Sequence, residues 1–180
     1  MNLPNKLTLM RVILIPFFLV MIYVDAIPLH FLWALVIFAA ASLTDMLDGK
    51  IARARGLVTN FGKFLDPLAD KVLVITALTV FVELKEFRMS AIPLVIIIAR
   101  EFIISGFRLV ASDNGVVIAA SYWGKFKTTF QMIAVVLLIV GIPALSMVTT
   151  AVVWIALILT VISLVDYIAK NVNVLKEGKM

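Results

Sequence analysis

Long apolar runs separated by short polar turns limit most strongly what this chain can fold into. The first run extends from Leu9 to Val24 and ends at a turn over residues 25–28. A helix needs about 20 apolar residues to cross a bilayer core, so 180 residues that are 63% apolar accommodate about six spans. We therefore predict an all-α integral membrane protein with six transmembrane helices, folded as one domain over residues 1–180.

Polar turns and helix-breaking residues bound the predicted helices. Gly56 lies in a predicted loop over 54–60, and Gly141 with Pro143 marks a turn before the last helix. The N-terminal run carries Lys6 and Arg11 as a signal peptide would, but no convincing small-residue cleavage site follows, and we keep it as the first span. The first helix is predicted at residues 4–24, and the second starts at residue 29 and runs into the aspartates at 45 and 48. The other four are predicted at residues 61–84, 91–111, 122–142 and 146–170.

The basic residues are distributed unevenly along these helices and turns. With both termini in the cytoplasm, fourteen of the sixteen Lys and Arg residues lie on or near the inner side, and only Lys85 and Arg88 lie outside. The net charge of +5 then fits loops that face anionic lipid, so we do not expect nucleic acid as a partner. This orientation predicts that the polar helix ends meet at the cytoplasmic face of the plasma membrane.

Four aspartates lie close together in the middle of this apolar chain. Asp45 and Asp48 share a helix face, and Gly62, Asp66 and Asp70 share another if the third helix begins near residue 61. Ionised carboxylates are costly in hydrocarbon and repel one another, so divalent cations are needed to neutralise them. Because the chain has no cysteine to supply thiolate ligands, this oxygen-ligand set predicts two ions such as Mg²⁺ or Mn²⁺, suited to phosphoryl transfer.

Two local alternatives exist for single members of this group. Asp66 could cap a helix before Pro67, and Asp45 could pair with a nearby base. Neither alternative explains all four aspartates together.

A second polar group lies on the fourth and fifth helices. Two arginines and a glutamate interrupt the apolar fourth helix, and two lysines and a threonine open the fifth; such a group suits an anionic acceptor, particularly a phosphate. The alternative pairs Glu101 with Arg108 as a structural contact and extends both lysines toward lipid headgroups. The predicted acceptor residues are Arg100, Glu101, Arg108, Lys125, Lys127 and Thr128.

The aspartate stretch resembles a known family signature. The spacing D-x2-D-G-x2-A-R-x8-G-x3-D-x3-D is met without departure between Asp45 and Asp70, and it is similar to that of the CDP-alcohol phosphotransferases. The resemblance implies a six-helix, usually dimeric membrane enzyme that transfers a phosphatidyl-type group from a CDP-linked lipid to an alcohol and releases CMP.

The same resemblance implies roles for individual residues. Asp45, Asp48, Asp66 and Asp70 match the ligands of two divalent ions, and Asp70 also matches the general base for the acceptor hydroxyl. The residues that match positions beside the cytidine nucleotide are Gly49, Ala52, Arg53 and Gly62, together with Asn5, Thr8 and Arg11 in the N-terminal PNKLTLMR.

The acceptor residues resemble one branch of this family. The patterns REF-x-IS-x2-R and GK-x-KT look like the branch that uses CDP-diacylglycerol and glycerol 3-phosphate, so these are the expected substrates, in a bacterial membrane and as a homodimer. Acceptors used elsewhere in the family, such as inositol phosphate, serine or phosphatidylglycerol, remain alternatives. A divalent-cation transporter is a more distant one, since it explains neither the glycine spacing nor the basic group.

Three other polar residues are predicted to be structural. His30 is expected at the membrane interface rather than as a metal ligand, and Tyr167 is also expected at an interface. Asp166 precedes Lys170 by four residues on the last helix, which predicts a local ion pair.

Overall fold

Helices account for nearly all of the regular structure in the part of the chain described by this computed structural model. The backbone is described for residues 3–55, 60–84, 89–113, 118 and 121–172, and the side chains for 6–44, 68–69, 71–84, 89–112, 118 and 121–172. Within these ranges there are six α-helices and one 3-10 turn at Pro143–Leu145. The helices are α1 (Leu3–Tyr23), α2 (His30–Arg55), α3 (Asn60–Glu83), α4 (Ala91–Asp113), α5 (Tyr122–Val140) and α6 (Ser146–Lys170).

The predicted all-α fold and its helix order are confirmed, with small differences at the helix ends. α2 continues to Arg55, beyond the predicted start of the loop, and α5 ends at Val140 rather than at residue 142. α5 ends early because Gly141 takes a left-handed conformation with φ of 59°, which stops the helix before Pro143. The N-terminus of α4 is capped by Ser90, whose Oγ accepts the Ile92 amide at 3.2 Å.

Among the described residues, three segments are long and apolar enough to cross a membrane. They are Lys6–Tyr23, Tyr122–Val140 and Pro143–Lys170, and a shorter apolar segment lies at His30–Thr44. α2, α3 and α4 have 26, 24 and 23 residues, which at 1.5 Å per residue is enough to cross, but each carries several charged residues. The count of six spans therefore stays a prediction.

The helices belong to two compact units, which are described one at a time. The first contains Met1–Val80 with Leu138–Gly141, and the second contains Phe81–Leu137 with Ile142–Met180. The prediction of a single domain stays a prediction.

In the first unit, α1 packs along α2. Phe18 of α1 and Phe38 of α2 are buried, with ring centroids 6.3 Å apart. The short turn between the two helices uses a left-handed residue, Leu29, with φ of 56°. His30 then joins the helices, because its Nδ1 lies 3.0 Å from the Met21 carbonyl oxygen. In the second unit, α4 packs against α6.

Candidate functional site

The predicted metal ligands all lie on helical backbone of the first unit. α2 contains Asp45 and Asp48, and α3 contains Asp66 and Asp70. α3 begins at Asn60, which meets the condition for Asp66 and Asp70 to share one helix face. Their side chains lie outside the described residues. Four carboxylates, two on each of two helices, are a donor set that fits hard divalent cations such as Mg²⁺ or Mn²⁺.

The predicted nucleotide residues lie in the same unit. Asn5 and Thr8 are on α1; Gly49, Ala52 and Arg53 are on α2; and Gly62 is on α3. Thr8 is fully buried. The side chains of the other members lie outside the described residues.

Arg11 connects α1 to the turn of α2 that leads to the aspartates. Its guanidinium is fully buried, and Nε donates to the Ala41 carbonyl oxygen at 3.3 Å. Thr44 Oγ donates to the same oxygen at 2.7 Å. In an α-helix, each carbonyl oxygen accepts from the amide four residues later. Ala41 therefore lies one turn before Asp45. Arg11 therefore holds the α2 backbone directly before the first predicted metal ligand.

A buried ion cluster lies in the second unit, between α4 and α5. Arg100 and Glu101 of α4 and Lys127 of α5 are 8%, 7% and 4% exposed. Arg100 Nη1 lies 3.0 Å from Glu101 Oε1, and Lys127 Nζ donates to the same oxygen. One carboxylate thus joins two cations, and this contact holds the polar half of α4 against the start of α5.

Ser163 of α6 completes the surroundings of Arg100. Its Oγ accepts from Arg100 Nε at 3.1 Å and from Nη2 at 2.9 Å, and it donates to the Thr160 carbonyl oxygen at 3.2 Å. Gly124 of α5 lies nearby, since a Cβ there would be 3.6 Å from Arg100 Nη2. Among the described residues, three of the five N–H groups of Arg100 therefore have acceptors, which leaves two for another ligand.

Arg108 has a different environment two turns further along α4. Its side chain is exposed, Nε donates to Tyr167 Oη at 3.3 Å, and Cζ lies 5.7 Å from the centre of the Tyr167 ring. Phe107 meets the same ring edge to face, with centroids 5.8 Å apart. The guanidinium is thus held on one side by an aromatic ring while it stays open to an anion.

The remaining predicted acceptor residues begin α5. Lys125 is exposed, and Thr128 is half-buried, with its Oγ donating to the Gly124 carbonyl oxygen at 3.1 Å. Ser121 caps this helix, because its Oγ accepts the Gly124 amide at 3.1 Å. Four cations of the predicted acceptor group therefore lie on α4 and α5 of one unit, two buried and two exposed.

Comparison with known proteins decides the family. The family model described as CDP-alcohol phosphatidyltransferase matches residues 1–162 of the 180. The chain belongs to this family. A Bacillus subtilis (strain 168) protein is 41% identical over 98% of this chain and 98% of its own length. A Haemophilus influenzae protein is 47% identical over 74% of this chain and 72% of its own length.

A third relative, from Rickettsia bellii, is 40% identical over 92% of this chain and 93% of its own length. All three relatives carry the name CDP-diacylglycerol–glycerol-3-phosphate 3-phosphatidyltransferase. The family suggested by the aspartate spacing is therefore confirmed.

Two contacts considered as an alternative in the sequence analysis are not formed, and one residue expected at an interface is buried. Glu101 pairs with Arg100 and Lys127, whereas Arg108 bonds to Tyr167, so the alternative Glu101–Arg108 pair is not formed. Lys127 is buried against a carboxylate instead of extending toward lipid. Tyr167, expected at a membrane interface, is only 2% exposed and packs within the protein. A long charged side chain bonds to whichever strong partner lies within reach, and helix periodicity alone does not show which residue that is.

Sequence reasoning missed the partners supplied by α6. Thr160, Ser163 and Tyr167 are polar residues at offsets 0, 3 and 7 in an apolar helix, and that spacing was the available signal. The predicted pair on the same helix is confirmed, with Lys170 Nζ 2.6 Å from Asp166 Oδ1.

Proposed function

We propose that this chain transfers the phosphatidyl group of CDP-diacylglycerol to sn-glycerol 3-phosphate, giving phosphatidylglycerophosphate and CMP. The observation that carries the proposal is the match to relatives named for this reaction, one of them 41% identical over 98% of both chains. The family signature between Asp45 and Asp70 supports it, since it is met without departure. No observation favours a cation transporter over this enzyme.

The proposed chemistry is a single displacement at phosphorus. The acceptor hydroxyl oxygen bonds to the lipid-linked phosphorus, the bond from that phosphorus to the CMP oxygen breaks, and CMP leaves. Asp70 accepts the hydroxyl proton as general base. Asp45, Asp48, Asp66 and Asp70 would hold two Mg²⁺ or Mn²⁺ ions, which supply charge stabilisation for the phosphates when bound. Asn5, Thr8, Gly49, Ala52, Arg53 and Gly62 are assigned to the cytidine nucleotide.

The acceptor phosphate is assigned to the basic residues of α4 and α5. Arg108 and Lys125 are exposed, and Arg100 retains two N–H groups beyond its protein contacts, so these three supply the main donors. Lys127 and Glu101 hold Arg100 in place, and Thr128 adds a hydroxyl. A phosphorylated alcohol explains this concentration of cations better than serine does, because serine carries no phosphate.

The cellular setting is proposed on the distribution of charge and on the family. Both termini and the reacting groups are assigned to the cytoplasmic side of a bacterial plasma membrane, since that orientation leaves only Lys85 and Arg88 outside. Six spans and a homodimer are proposed on the resemblance to the family.

A panel of acceptors tests the function. Purified protein in detergent receives CDP-diacylglycerol and Mg²⁺ with glycerol 3-phosphate, inositol phosphate, serine or phosphatidylglycerol, and CMP release is measured. We expect turnover with glycerol 3-phosphate to exceed the others at least tenfold, and EDTA to abolish it until Mg²⁺ or Mn²⁺ is restored. Preference for another acceptor, or full turnover in EDTA, would contradict the proposal.

A further inference from the structure

Three polar side chains form a buried stripe along α6. Thr160, Ser163 and Tyr167 are 0%, 0% and 2% exposed. A polar group buried in a membrane helix needs a partner, because hydrocarbon supplies none. All three find partners on neighbouring helices of the second unit: Thr160 accepts from Gln131 of α5 at 3.3 Å, while Ser163 and Tyr167 accept from the arginines of α4.

Ser163 uses its whole hydrogen-bonding capacity. A hydroxyl has one donor and two acceptor sites, and here the acceptors take Arg100 Nε and Nη2 while the donor bonds to the Thr160 carbonyl oxygen. The bond to Thr160 is local to α6 and fixes the direction of the hydroxyl. The lone pairs therefore point at one edge of the Arg100 guanidinium and set its plane.

Tyr167 holds Arg108 in two ways. Its hydroxyl accepts from Nε, and its ring lies 5.7 Å from Cζ. The ring is itself held by Phe107, one residue before Arg108 on α4. An exposed arginine side chain has several rotatable bonds. It loses much of its conformational freedom when a ring covers one face of the guanidinium and one N–H is hydrogen-bonded.

We propose that Ser163 and Tyr167 are positioning residues that orient Arg100 and Arg108 for the acceptor phosphate. The proposal rests on the function proposed above, since it requires that these arginines bind the acceptor. The remaining N–H groups of each guanidinium then point in a defined direction before the acceptor arrives, which lowers the ordering cost of binding. Neither α6 residue is assigned contact with substrate.

The test separates acceptor binding from turnover. Full-length Ser163→Ala and Tyr167→Phe are assayed for CMP release at varied glycerol 3-phosphate and varied CDP-diacylglycerol. We expect Ser163→Ala, which removes both hydrogen bonds to Arg100, to raise the KM for glycerol 3-phosphate about tenfold, and Tyr167→Phe to raise it about threefold because the ring is kept. The KM for CDP-diacylglycerol should stay within about twofold of wild type.

Controls remove a hydroxyl at exposed positions. Thr150→Ala removes a hydroxyl from α6 that, among the described residues, bonds only to the Ser146 carbonyl oxygen, at 2.9 Å, and Tyr122→Phe removes an exposed phenol hydroxyl from α5. Both should leave the KM for glycerol 3-phosphate unchanged, and Ser163→Thr should restore most of the loss seen with alanine. If Ser163→Ala does not fold, Tyr167→Phe and Ser163→Cys decide the proposal.

A double-mutant cycle asks whether Ser163 acts through Arg100. In an Arg100→Lys background, Ser163→Ala should raise the KM for glycerol 3-phosphate less than about twofold further, because the bonded edge is already lost. A full tenfold further increase, or variants that match wild type, would overturn the positioning role alone. A wild-type protein that releases no CMP with glycerol 3-phosphate would overturn both this proposal and the proposed function.

Discussion

The acidic helices of the first unit and the basic cluster of the second solve opposite electrostatic problems. The first places four like charges on two helices, so its members repel one another and fit a set of external cations. The second places cations around Glu101, so part of its charge is satisfied within the protein. In the proposed function the acidic group serves the reacting phosphates, whereas the basic cluster both holds α4 to α5 and binds the acceptor anion.

Substitution of Asp70 should give the largest effect. Asp70→Asn removes both a predicted metal ligand and the proposed general base while keeping the size of the side chain. We expect CMP release to fall about a thousandfold or more, within the range for loss of a general base. Retention of melting temperature in detergent would locate the loss in the chemistry.

Asp25→Asn is the matched control. Asp25 lies in the turn after α1 with its side chain 92% exposed, 3.8 Å from His30 Nε2. Its turnover should stay within about twofold of wild type, as for surface substitutions in general. An equal loss of turnover in the two variants, or near-normal turnover of Asp70→Asn, would contradict a special role for the aspartates of α2 and α3.

Removal of Glu101 tests whether the basic cluster holds the fold. Glu101→Gln leaves Arg100 and Lys127 buried without the carboxylate that joins them, which should cost about 3 kcal/mol of stability and several degrees of melting temperature. Asp166→Asn is the control, because this pair lies within α6 and its cation Lys170 is 65% exposed, so its loss should cost less, about 1 kcal/mol. A smaller loss for Glu101→Gln than for Asp166→Asn would show that the cluster serves binding alone.

Sequence and structure contributed differently to the two regions. The aspartates were assigned from spacing within a helix, a local property, and α3 begins early enough to include their predicted face. Both ends of α6 were also predicted, since Pro143 and the polar tail bound an unbroken apolar run. The partners of the basic cluster were not, because they come from distant parts of the chain: Ser163 is 63 residues from Arg100, and Tyr167 is 59 residues from Arg108.

Helix periodicity identifies which face of α6 is buried but not which side chain lies opposite it. Tyr167 illustrates this limit, because an aromatic residue with a hydroxyl near a helix end fits an interface and an arginine partner equally well by sequence. A stripe of polar residues along an apolar helix therefore indicates that hydrogen-bond partners lie on other helices of the chain.

Gly124 offers the finest test of the basic cluster. A Cβ at this position would make a tight contact of 3.3 Å with Ser121 Oγ and an ordinary contact of 3.6 Å with Arg100 Nη2, so Gly124→Ala fills the space beside the guanidinium. We expect the KM for glycerol 3-phosphate to rise about two- to threefold, with little change in stability, because the gain in helix propensity of about 1 kcal/mol offsets the tight contact. Gly106→Ala on α4 is the control, since no described residue outside its own helix backbone lies within 4 Å of a Cβ added there. It should leave that KM unchanged and stabilise the protein slightly. An equal change in KM for the two alanine variants would mean that the space beside Arg100 has no part in acceptor binding.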